Sequence, residues 1–253
     1  STNNTVVGGA TNELLVVTNL TLASSLTNTV NISALGGLKY GVPYTLIKYV
    51  NGPGTPGQIA ELATPPTHFL FKFTNDTANS AITLTITANP FNLVWKGGLA
   101  SNAWDITTTT NWLVGGVTPD LYYDGDNATF NDSGSNIPPV NVTTTVKPTT
   151  LTVAGTKDYT FGGAGKISGG TTLVKTGSGN LTLLADNDFT GGGSLSGSGA
   201  VSVGVGSTTG SIGSGNLTNN TRVTFNRTTS ATYSGNMSGT GAVAVNMPAA
   251  TLT

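Results

Sequence analysis

Four aspartates crowd one stretch of the sequence, PDLYYDGDNATFNDSG at residues 119–134. Asp124 and Asp126 are two positions apart, so an extended chain would present both carboxylates on one face. With neighbouring carbonyls they form a candidate calcium site, because a hard cation takes oxygen ligands. The same Asp120–Asp132 region offers the carboxyl pair that sugar hydrolysis requires, roughly 5 to 9.5 Å apart across a groove. All three tryptophans, Trp95, Trp104 and Trp112, lie close by in sequence, as do Tyr122 and Tyr123, and these five rings are the candidates for stacking on a glycan.

Other features of the stretch argue for a plainer role. The full calcium loop ends in a Glu that is missing here, no calcium-binding nonapeptide occurs, and nothing marks a second shell around a carboxyl pair. Asp124 and Asp126 therefore read first as a solvated turn. The tryptophans read first as a small core or an end cap, because a large ring removes much apolar surface from water. No residue is assigned a catalytic role, and the chain is not expected to be an enzyme.

Elsewhere the chemistry thins out. His68 is the one histidine and cysteine is absent, which leaves no thiolate, no disulfide and no histidine pair for a metal. Lys166, Lys175, Arg222 and Arg227 read as isolated solubilising charges. Ten basic residues against eleven acidic ones give a net charge of -1. Their scatter provides no footprint for nucleic acid, whose phosphates require clustered Lys or Arg. No apolar run approaches the ~20 residues that span a bilayer, so this segment is not expected to insert into a membrane.

The elements that would hold these residues are strands. Only 8% of the 253 residues are charged, and 46 Thr and 25 Asn occupy surface that Lys and Glu usually fill. Such a composition favours strands and turns over helices. The chain has three successive textures. Residues 1–90 carry short strand-like pieces (ELLVVTNLTLA, TVNISAL, YTLIKYV, HFLFKF, AITLTITA) and are expected to end a preceding solenoid array. Residues 91–150 are rich in Trp and Asp and introduce a repeat array. Residues 151–253 are that array, repeating every 20–22 positions.

Within the array one apolar column runs Phe161, Leu183, Val203, Phe225, Val245. A second runs Leu151, Leu173, Leu195, Leu217, Met237, and a third Ile167, Phe189, Ile212, Tyr233. Strands this short cannot bury an apolar side alone, but coils stacked on coils turn each column into a continuous interior ladder. The expected fold is all-β, a β-solenoid with a Trp-rich β segment. Threonines are not expected to fall in strict register, which weighs against a surface matched to ice.

The stretch TTLVKTGSGNLTLLADNDFTGG (171–192) resembles the autotransporter-associated β-strand repeat, also called the passenger-associated transport repeat, of exported bacterial surface proteins. Leu173, Lys175, Gly177, Gly179, Leu181 and Leu183 carry the likeness, then Asn187, Phe189, Thr190, Gly191 and Gly192. KDYTFGGAGKISGG before it and residues 210–243 after it are similar to neighbouring coils of such arrays. Trp95, Trp104-Asp105, Asn111-Trp112 and residues 124–130 resemble the segment that introduces them, and YTLIKYVNG the strand that closes a preceding one. Two departures stand out: Gly193-Ser194 replaces the usual Thr-Thr, and no membrane β-barrel comes after the repeats.

The resemblance implies a right-handed parallel β-helix in a secreted or cell-surface passenger, acting as rod, spacer, fibre or adhesive surface. Expected partners are further repeats of the same protein, end-to-end copies, a glycan or a neighbouring cell surface. Ending at ATLT, within a strand pattern, the chain reads as one segment of a longer protein or assembly. A carbohydrate-binding module is the alternative, and a polysaccharide-cleaving β-helix enzyme a more distant one.

Overall fold

The computed structural model describes residues 7–8, 11–12, 15–20, 41–52, 68, 70–87, 90–98, 100–248 and 250–253. The chain divides into two compact units, Ser1–Pro90 and Phe91–Thr253. Nearly everything described is strand or turn; the single helical piece among the described residues is a 3-10 turn at Ala100–Asn102.

In the first unit, Leu15–Asn19 pairs parallel with Pro43–Asn51, which pairs antiparallel with Ala81–Ile86, itself antiparallel to Phe71–Asp76. Leu46, Ile47, Ile82, Leu84 and Ile86 form its core. Asp76 accepts from the Asn79 amide at 3.1 Å and closes the hairpin between the last two strands. The described part of residues 1–90 is therefore a mixed sheet and not the stacked coils expected; a four-residue turn leaves no length for a crossover. Val7–Gly8 and Thr11–Asn12 also pair antiparallel. TVNISAL lies outside the described residues.

The second unit is a β-solenoid. One sheet stacks Asn92–Trp95, Asn127–Phe130, Thr150–Val153, Thr172–Lys175, Gly193–Leu195, Leu217–Asn219 and Met237–Ser238, all parallel. A second parallel sheet stacks Ala103–Trp104, Val140–Val142, Tyr159–Gly162, Leu181–Leu183, Val201–Ser207, Arg222–Arg227 and Ala242–Asn246. Seven strands at ~4.8 Å spacing rise about 29 Å. Residues 91–150 are thus the first coils of the same stack that residues 151–253 continue.

The first apolar column is in register: Phe161 faces Leu183, Leu183 faces Val203, Val203 faces Phe225 and Phe225 faces Val245. Beside it runs another, Tyr159, Leu181, Val201, Val223, Val243. The second expected column breaks at one rung. Leu173 faces Gly193, and Leu195 faces Lys175 and Asn219. On the two main sheets this coil repeats after 20 residues, as Leu183 to Val203 does, so coil length decides the partner and the leucine 22 positions on is displaced. The third column is also shifted. Asn187 faces Ile212, while the buried Phe189 and the half-buried Tyr233 sit two positions along; Ala231 bridges Leu252.

Asn187 can occupy an interior slot because its amide is satisfied on both sides. Its Oδ1 accepts from Ile167 N at 2.9 Å and its Nδ2 donates to Ser211 O at 2.8 Å. The corners need glycine for two reasons at once. Gly177 has φ of 80°, and a Cβ there would lie 2.1 Å from the carbonyl oxygen of Gly155 on the preceding rung. An L side chain would be strained by its own backbone and would push the rungs apart.

Leu183 is fully buried and Thr182 beside it points outward. An unpaired carboxylate in the ladder costs several kcal/mol, a large share of a domain's stability. Leu183→Asp is therefore expected to unfold the second unit in buffer, and Thr182→Asp to leave it folded. Tryptophan emission checks this directly, because all three tryptophans belong to this unit.

Candidate functional site

The rings singled out in the sequence converge inside the solenoid at its first coils. Trp95 and Trp112 meet edge-on with centroids 4.9 Å apart, and Trp104 meets Trp112 at 5.2 Å. Tyr122 stands perpendicular to Trp104 at 5.4 Å, and Phe130 links the group to Phe161 at 4.6 Å. Trp95, Trp104, Trp112 and Tyr122 are at most 1% exposed. Four of the five candidate glycan-stacking rings are thus interior, and Tyr123 alone is half-buried. They fill the end of the shaft. The antiparallel hairpin of Trp112–Val114 and Thr118–Asp120 covers the edge of Asn92–Trp95, blocking further strand addition there.

The sequence does this locally with polar residues that fix turns. Trp95 Nε1 donates to Ser135 O at 2.8 Å. Buried Asn102 donates to Pro138 O at 2.6 Å, and buried Asn111 to Ala103 O at 2.8 Å. Asp105 accepts from Thr109 N at 2.9 Å. Trp104 Nε1 is buried without an acceptor among the described residues.

Asp124, Asp126 and Asp132 each accept hydrogen bonds from main-chain amides. Asp126 is fully buried; its oxygens accept from Phe91 N and Tyr123 N, each at 3.1 Å. Asp124 accepts from Lys147 N at 2.8 Å on the next coil, and from the Tyr122 hydroxyl at 3.4 Å. Burial pushes the Asp124 carboxyl above its ordinary range and the Tyr122 hydroxyl well above its own. Asp132 accepts from Thr156 N at 2.7 Å and Lys157 N at 2.8 Å. Among the described residues no three His, Asp or Glu side chains gather as a metal site.

These contacts belong to a wider device. Asp158 accepts from Asn180 N at 2.6 Å, Asn180 from Ala200 N at 2.9 Å, Asn216 from Asn236 N at 2.8 Å and Asn220 from Thr240 N at 3.0 Å. In each case a side-chain oxygen on one rung takes an amide of the next, 20 to 24 residues on. The corners, where the ladder of the sheets is interrupted, are thereby tied together.

Three charges read as solubilising are paired or buried. Lys175 is fully buried, its stem filling the slot between Val153 and Leu195 and its ammonium reaching Thr176 O at 3.2 Å; burial lowers its pKa. Arg227, 9% exposed, pairs with Asp186 at 2.9 Å. Lys166 pairs with Asp188 on the exterior, where such a pair contributes little. Sequence spacing gave no sign of the first two. Arg222 remains exposed. His68 is half-buried.

The sheets align the outward positions, but threonine does not keep strict register along them, as expected: Val174 and Ala244 interrupt the rows. Thr160, Thr182, Ser202 and Thr224 form one row on the second sheet. Thr129 and Thr152 begin another on the first sheet, which continues through Val174, Ser194, Thr218 and Ser238. No helix among the described residues is long and apolar enough to cross a membrane. No protein-family model, no curated protein and no solved structure matches the chain.

Asp132 allows a test of the corner device. Amide donors from Lys157 and Thr156 hold its carboxyl below the usual value. Its contribution is complete above the unfolded pKa near 4 and is lost as pH falls through the depressed folded value. Asn220 makes the same pair of contacts, to Thr240 N and Oγ1, with a neutral amide oxygen. Asp132→Asn should lower the neutral-pH urea midpoint slightly and flatten its decline below about pH 4, whereas Asp132→Ala should lower the midpoint further at neutral pH. Tryptophan emission across urea and pH series reads all three proteins.

Proposed function

We propose that the chain is a structural or adhesive segment of an extracellular β-solenoid protein, without catalytic function, in which stacked coils supply length and outward hydroxyl rows supply contact. The observation that carries this reading is the use made of reactive side chains: Asp124, Asp126, Asp132 and Asp158 all hold backbone amides. Groups committed to the frame in this way are poorly placed to bind or turn over a substrate. The outward run Thr160, Thr182, Ser202 and Thr224 favours adhesion to a glycan-bearing or cell surface over a purely mechanical role.

The likeness to passenger repeats supports a place on the bacterial exterior. The last strand of the second sheet supports longitudinal continuation, by further repeats or by another copy. Val243 and Val245 are 49% and 53% exposed there, while Val223 and Phe225 in the same columns are at most 3% exposed. Such an edge favours a further parallel strand.

Antibody raised against the chain and applied to intact cells that express the native protein provides the test. Labelling before permeabilisation is the expected result. Labelling only after permeabilisation would overturn the extracellular assignment.

A further inference from the structure

Past its first coils, the solenoid is interrupted by one excursion. Val201–Ser207 is the longest strand of its sheet, and its pairing with Arg222–Arg227 shifts between Val203 and Ser207. Gly204 and Gly206, both with φ of 80°, and Gly210, with φ of 125°, carry the chain outward and back. The third face then repeats unevenly: Asn187 faces Ile212, 25 positions on, and pairing resumes only between Ala231 and Leu252. A pocket of about 250 Å³ opens where the coils of Ile212 and Ala231 diverge.

Its walls are chemically mixed. Ile212, Phe225 and Tyr233 provide an apolar side, with the two rings 6.4 Å apart. Ser211, Ser230 and Thr232 bring hydroxyls, and Asp186 and Arg227 bring charge. Arg227 uses four of its five N–H donors to hold the excursion, and the fifth, Nε, is buried out of reach without a partner among the described residues. It donates to Asp186 Oδ1 at 2.9 Å, Gly210 O at 2.7 Å, Thr208 O at 2.6 Å and Thr229 Oγ1 at 3.1 Å. No cationic donor is therefore left in this pocket to receive an anion. Asp186 differs: its side chain is 56% exposed, and only Oδ1 is engaged, by Arg227 and by Gly210 N at 3.0 Å. An ionised carboxylate oxygen is purely an acceptor.

We propose that this pocket binds one uncharged sugar residue, whose hydroxyls donate to Asp186 Oδ2 and exchange hydrogen bonds with Ser211, Ser230 and Thr232 while its ring lies against Tyr233 and Ile212. The volume is just below the ~300 Å³ at which drug-sized pockets begin, which suits a single ring. A few convergent polar groups on an apolar wall are what orient a small ligand. The site does not depend on where the protein resides, so it stands or falls separately from the extracellular assignment.

Saturation-transfer NMR on the full chain tests it with methyl β-D-glucoside, methyl β-D-galactoside and methyl α-D-mannoside at millimolar concentration. D-glucuronate serves as the anionic counterpart. At least one neutral glycoside should receive saturation, and glucuronate should not. Thr232→Trp, at an exposed rim position, should weaken the bound glycoside at least tenfold. Thr228→Trp, outside the pocket lining, should not, and circular dichroism checks that both variants stay folded. Absence of transfer to all three glycosides, preference for glucuronate, or a signal unaffected by Thr232→Trp would overturn the proposal.

Discussion

Parallel pairing between successive coils is the interaction on which the second unit rests. A strand of three residues, such as Leu181–Leu183, has no stable existence alone. Held between Tyr159–Gly162 and Val201–Ser207, it satisfies its amides on both sides and closes Leu181 and Leu183 into an apolar interior. Each rung is therefore both a beneficiary and a template, and stability accrues by neighbours. The ends and the corners are where this arrangement is vulnerable. The first coils protect one end with a plug of tryptophans and an antiparallel hairpin. The corners are secured by Asp and Asn oxygens that reach one coil ahead.

That division of labour explains a composition with little charge and much Asn, Thr and Gly. Asparagine does at neutral charge what aspartate does at Asp132 and Asp158, so a long stack need not accumulate repelling carboxylates along one edge. Threonine suits the outward side of a pleated strand. Glycine is required where a corner sits directly over the one before, as at Gly177 and Gly155.

Leu183 and its partners were legible because apolar type and coil length agree along that column. Leu195 was not, because register depends on the number of backbone units and places Gly193 opposite Leu173. Lys175 and Asn187 occupy interior slots that side-chain type would deny them, made tolerable by corner carbonyls in one case and by bonds to both neighbouring coils in the other. The tryptophans were readable as an interior plug from their size. The role of the aspartates was not, since it depends on amides 22 to 25 residues away.

Cysteine pairing measures the stack most directly, because the native chain contains no cysteine. Thr160 and Thr182 are register partners on adjacent coils, and Thr182 and Ser202 are the next pair. A disulfide needs Cα atoms about 4.4 to 6.8 Å apart, which one inter-strand step provides and two do not. Under mild oxidation the 160/182 and 182/202 double-cysteine proteins should each close an intramolecular disulfide, and the 160/202 protein should stay reduced. Efficient closure of 160/202, or failure of both adjacent pairs in a folded protein, would contradict the stacked-coil account.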